Sequence, residues 1–354
     1  MTFPTTTAGD RQEAIHAALA DAATSEGPHR RSALLAAGIL TLDAERYVDA
    51  LATLREALDP GPDAPGPIDP VIHFHVGRAL TALGRSPEAL THFHLAGHAF
   101  RDDDRLLDLA ACLREHARAL ADLTESDAFD LLNRSLQILD DLDEPRALAA
   151  THLVGGHTFL QGGLVEGARI HQRLAAEIAG HPADPDAALL GFRIDVAAHP
   201  ETLDLAALDH LRTHFALRGR RQSAGQCDLL IARGLAATGL ATAALARALH
   251  GARILLEQWI DISDFDEVGL WFDHHEADLE LPMILAEVVG VPSRVVELFE
   301  LAADASDRGL IYPHEEQYLT DLAERAGNDD AVLTYDDDTL FGNSRASSVP
   351  GTPR

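Results

Sequence analysis

The 354-residue chain carries 57 acidic against 28 basic side chains, a formal net charge of −29, which repels nucleic acid and anionic membrane surfaces and excludes both as expected partners. Every one of the 28 basic residues is arginine. Without lysine, the phosphate-loop nucleotide site, the pyridoxal-phosphate Schiff base and the lysine of kinase sites are excluded as well.

Hydrophobic residues make up 46% of the chain but aromatics only 5%, and the apolar content is mostly Ala and Leu, strong helix formers. Segments rich in Val, Ile, Thr and aromatics are scarce, so the class is all-α. The length exceeds what one compact core supports, which leaves two domains or an elongated repeat array.

In chain order, residues 10–23 predict an N-terminal helix that caps the array, and a first helix pair is carried by Gly38, Ala50, Leu54 and Ala57. The stretch ALDPGPDAPGPIDP, residues 57–70, reads as a stiff Pro-rich loop. Residues 71–100 then form the clearest hairpin: two amphipathic helices flank Leu83-Gly84-Arg85-Ser86. Gly84 is expected to supply a left-handed C-terminal cap and Ser86 the next N-cap, with Pro87 and Glu88 suited to a first helical turn. Weaker copies follow at Ala119, Ala128, Leu132 and at Ala198, Ala207, Leu211. Stronger ones lie at Gly156, Phe159, Gly163, Ala168, Ala175, at Ala232, Leu235, Gly239, Ala244, Gly251, and at Ala286, Gly290, Val295, Phe299, Ala302. Before the last copy, Ser263-Asp264 and Asp266-Glu267 mark a helix stop and a capped restart between Trp259 and Trp271, both read as core residues. Pro282 is expected to kink the helix after that restart. A final helix opens at Pro313. The organisation is therefore a capping helix in 1–29, repeats over 30–311, a second capping helix in 312–326 and a disordered acidic tail, 327–354. Leu340 and Phe341, after Asp336 to Asp338, make the tail a candidate self-inhibitor.

The hairpin places Gly77, Leu80, Gly84, Ala89, Phe93 and Ala96 at spacings that let antiparallel helices approach on small residues while Leu and Phe fill between them. The corresponding first-helix residues are Gly38, Gly77, His116, Gly156, Asp195, Ala232 and Met283, separated on subtraction by 39, 39, 40, 39, 37 and 51. This pattern resembles the tetratricopeptide repeat, with a period longer than the usual ~34 residues and no small residue at His116 or Asp195. The resemblance implies a right-handed superhelix, an α-solenoid of about seven antiparallel helix pairs, whose first helices line a concave groove. Carried over residue by residue, it implies a binding groove containing Phe74, Arg78, His157, Phe192 and Arg233, with Leu35, Leu113, Leu153 and Leu229 among them. The function implied is non-catalytic binding of a protein or peptide, apolar and bearing one or two carboxylates. The alternative is a sensor or regulatory subunit that takes a small molecule or signalling peptide in the groove. The carboxylate-clamp variant of the family uses Lys and Asn, a pattern absent here.

Nineteen histidines include His73, His75, His92, His94 and His98 within one hairpin. Only His94 and His98 share a helix face, and His274, His275 and Glu276 are adjacent and diverge, with no HExxH spacing. A histidine-based metal enzyme or haem binder is the least favoured reading, and neither metal nor cofactor is expected. No GxSxG elbow occurs, and Cys112 and Cys227 read as buried hydrophobes, so no catalytic residue is assigned. Leu217 to Gln222 reads as a solvated basic turn. The N-terminus has no basic-then-apolar leader and no apolar run reaches the ~18 to 20 residues of a span, so a cytoplasmic location is expected.

Overall fold

The computed structural model describes residues 7–59, 69–178, 184–259 and 265–291. All of these fall in one compact unit, Met1–Asp307; a second unit, Arg308–Arg354, lies outside the described residues. The segments between Gly, Asp and Pro punctuation fold as helices α1 (Ala8–Thr24), α2 (Gly27–Asp43), α3 (Tyr47–Leu58), α4 (Pro70–Ala82), α5 (Ser86–Asp102), α6 (Leu106–Asp122) and α7 (Ala128–Leu142). They continue as α8 (Pro145–Gln161), α9 (Val165–Ile178), α10 (Pro185–Ala198), α11 (Leu205–Leu217), α12 (Arg221–Ala237), α13 (Ala241–Trp259) and α14 (Phe265–Val289). Among the described residues there is no strand, and the protein is an all-α solenoid.

Acid-proline dipeptides start several of the first helices. The Asp69 carboxylate accepts from the Val71 and Ile72 backbone N–H groups, and Asp184 does the same for Asp186 and Ala187, while Pro70 and Pro185 occupy positions whose N–H needs no partner. The turns inside the first, second, third, fourth and sixth pairs each end on a left-handed residue: Glu45 (φ 61°), Gly84 (74°), Thr124 (59°), Gly163 (72°) and Gly239 (83°). Gly290 (84°) closes α14 in the same way. Ser86, expected as an N-cap, instead lies inside α5, where its hydroxyl donates to Asp122 of α6 at 3.0 Å and ties two pairs together.

These turns give a firmer ruler than residue size. Gly38, Gly77, Gly156, Ala232 and Met283 each stand seven residues before a left-handed residue, but His116 stands eight before Thr124. The third pair's small residue is therefore Ala117, fully buried, and that copy does not lack one. The fifth pair has no such turn: α10 and α11 are joined through His199–Asp204 with a 3-10 turn at Pro200–Thr202, so Asp195 has no anchor and instead pairs with Arg169 at 3.0 Å. α14 runs unbroken through Pro282, and Trp271 is fully buried in its core cluster. Cys112 and Cys227 are buried and unbridged. Trp259's side chain, loop residues 60–68, the helix from Pro313 and the tail fall outside the described residues.

Each helix packs on its sequence neighbour, and the first helices α2, α4, α6, α8, α10, α12 and α14 also touch one another in succession, which the second helices do not do to the same extent. Inner elements that meet while outer ones splay make a curve with the first helices inside. The curve returns on itself. Glu45, in the turn of the first pair, accepts from the Ser223 backbone N–H at 2.9 Å and from Arg220 Nε at 2.9 Å, at the start of the sixth. Arg220 also reaches Asp186 at 2.8 Å, and Ala8 of α1 rests against Gly219. Burial works against the charge on Arg220, but Asp186 and Glu45 more than offset it and raise its pKa.

Candidate functional site

Counting six residues back from each left-handed turn residue picks out Ile39, Arg78, Arg118, His157 and Arg233, one from each of the pairs with a regular turn. They stand at one register position on the inner helices α2, α4, α6, α8 and α12. Of the groove residues expected from sequence, Arg78, His157 and Arg233 belong to this row. Phe74 lies one turn before Arg78, half-buried beside Phe93 (ring centroids 6.3 Å apart) and Phe100 (6.4 Å), with the Arg78 guanidinium 5.9 Å from its own ring. Phe192 packs against the cluster of Leu189, Leu208 and Phe215, and its neighbour Arg193 is the residue that turns to the row. Leu113 and Leu229 are core residues, while Leu35 and Leu153 are half-buried against core clusters.

Arg193 Nη1 on α10 lies 3.4 Å from His157 Nδ1 on α8. Burial lowers the His157 pKa well below its ordinary value, and the Arg193 and Arg118 charges push it the same way. Burial also lowers Arg193; Asp278 opposes this while Arg118 and Arg233 add to it. Side chains from α6, α8, α10, α12 and α14 thus share one electrostatic environment, as convergence on the inside of a curve requires.

The carboxylates nearby are mostly engaged. Arg233 Nη2 donates to Ala277 O at 3.0 Å and Asp278 Oδ1 at 3.2 Å, joining α12 to α14. Asp122 accepts from Ser86 and from Gln161 Nε2 at 2.8 Å. Glu115, buried on α6, meets Arg114 at 3.0 Å and Arg118 at 3.6 Å; burial alone would raise its pKa, but Arg114, Arg118 and Arg78 hold it at about 2. His75 faces Arg78 at 3.3 Å, and burial, then Arg78, lowers it to about 3. Tyr47, at the start of α3, is raised by burial and by Glu45.

Sequence reasoning missed Arg118 because the third pair was counted from His116, one residue short, and missed Arg193 because the fifth pair has no turn to count from. The clustered histidines take a different role. His73 Nδ1 meets His92 Nδ1 at 2.9 Å between α4 and α5, and His152 repeats this with His171 at 3.1 Å between α8 and α9. Among the described residues no three His, Cys, Asp or Glu side chains converge as metal ligands, and no helix is long and apolar enough to cross a membrane.

No family model matches the chain, and no curated protein matches it. Among solved structures, the crystal structure of a Rap protein complexed with competence and sporulation factor aligns over 86% of this chain and 78% of that one, at 13% identity and a TM-score of 0.42.

Proposed function

We propose that the chain binds an extended peptide, or a flexible segment of a protein, along the inner face of the solenoid without catalysis. The observation that carries this reading is the row of Arg78, Arg118, His157 and Arg233 at one register position, joined by Arg193, on a chain whose net charge is −29. Guanidinium groups in register along a curved wall, with the neutral His157, Phe74 and Ile39 among them, suit a ligand with apolar side chains and a few carboxylates, because arginine recognises carboxylates bidentately while the wall supplies burial. Phe192 serves behind Arg193 as its support. The test is affinity selection from a peptide library with purified full-length protein and with Arg78→Ser/Arg233→Ser, after thermal denaturation shows that the variant folds. Peptides enriched by the parent and lost by the variant are the expected result; identical enrichment by both, or none by the parent, overturns the reading.

A further inference from the structure

We infer that Arg193, Arg118 and His157 form a receptor for one anionic group, a carboxylate or a phosphate, of the ligand held on the inner face; this rests on the binding reading above.

Arg193 comes within 3.4 Å of a neutral acceptor, His157 Nδ1, and has no carboxylate of the described residues within ion-pair distance. The two acids that act on it are committed elsewhere, Asp278 to Arg233 at 3.2 Å and Asp122 to Ser86 at 3.0 Å and Gln161 at 2.8 Å. Arg118 adds a second guanidinium whose ion-pair partner among the described residues, Glu115 at 3.6 Å, lies closer to Arg114, at 3.0 Å. A guanidinium withdrawn from water without a counter-ion is costly, and an incoming anion removes that cost.

The third member is neutral. With Nδ1 turned to the Arg193 N–H, the neutral His157 ring keeps its proton on Nε2, so it presents a donor rather than a second acceptor. The depressed pKa of His157, from burial and then Arg193 and Arg118, agrees with this protonation state. Two planar forks and an imidazole N–H suit the oxygens of a carboxylate or phosphate, and Arg118 and Arg193 sit on different inner helices, so the anion bridges α6 and α10.

The test uses full-length protein with nitrogen-labelled histidine, the His157 ring signals being assigned by their loss in His157→Gln. Sodium phosphate and sodium acetate are titrated in turn against sodium chloride at matched ionic strength. Saturable movement of the His157 signals with phosphate, acetate or both, absent with chloride, is expected, and the anion that binds more tightly identifies the group. Arg193→Gln should weaken that binding at least tenfold, whereas Arg101→Gln, on the exposed end of α5, leaves it unchanged. An equal response to chloride, or undiminished binding in Arg193→Gln, overturns the site. The two readings fail separately. Peptides retained equally by the parent and Arg193→Gln leave peptide binding standing without this receptor; phosphate binding at His157 with no peptide ever retained leaves the receptor standing without the peptide.

Discussion

The second and sixth helix pairs share a register, displaced by 155 residues from Gly84 to Gly239, yet they are cross-linked by different chemistry. In the second, a Cβ on Gly77 would lie 2.6 Å from Phe93, so the smallest residue faces a large one; in the sixth, Ala232 clusters with Ala248. The polar rung differs too. Where the second pair has His73 and His92, the sixth has Asp228 and Arg247, again 19 residues apart, with Arg247 Nη1 2.7 Å from Asp228 Oδ1. Asp228 is fully buried and also meets His250 Nδ1 at 2.7 Å. The fourth pair repeats the histidine rung with His152 and His171. The same rung position thus holds either an imidazole pair or an ion pair, each half supplying the other's polar partner, so a replacement of one half alone is the one that should cost most.

The largest effect is expected from Asp228→Ala. It removes the buried acceptor shared by Arg247 and His250, leaving Arg247 its 3.0 Å contact with Asp209, and should cost about 3–5 kcal/mol, read as a lower midpoint in urea unfolding. Next is Gly77→Ala, which imports the sixth pair's residue without its small partner; overpacking against Phe93 should cost ~1–3 kcal/mol by the same measurement. The smallest effect at neutral pH is expected from His73→Leu/His92→Leu, since both polar halves are replaced together by apolar side chains and neither is left without a partner; stability should stay within about 1 kcal/mol of the parent at pH 7.

The same double variant separates the rungs by pH. Burial, then the neighbouring His73 or His152 respectively, lowers His92 and His171 to about 4. The unfolded imidazole titrates near 6.5, so between about pH 6.5 and 4 the unfolded state binds protons that the folded state does not. The stability these rungs contribute is whole above that window and is lost as pH falls through it. Melting temperature measured from pH 7 to 4.5 should fall less steeply in the double variant than in the parent; an unchanged slope would exclude the second-pair rung as a source of acid sensitivity.

Helix type and pairing were legible because small residues and glycine caps recur in the sequence at a near-constant interval. Three of the five expected groove residues, Arg78, His157 and Arg233, stand in the structural row because their pairs end in glycine turns that can be counted. Arg118 was not legible: Thr124 adopts a left-handed conformation that the sequence does not advertise, and one residue of error rotates a helix face by about 100°. Arg193 was hidden by the irregular α10–α11 connection. The rungs were hidden for another reason, since histidines at i and i+19 look like a surplus until two helices bring them edge to edge.

Glu45 gives the coil a mechanical property that repeat arrays with free edges do not share. A spring with separate turns stretches by small changes at every joint, whereas here the carboxylate of the first pair staples one turn to the next through Arg220 and Ser223. Lengthening must first pull that staple. Under axial load the protein should therefore hold its length and then yield in one step, and Glu45→Ala should turn that step into gradual extension in a single-molecule pulling experiment.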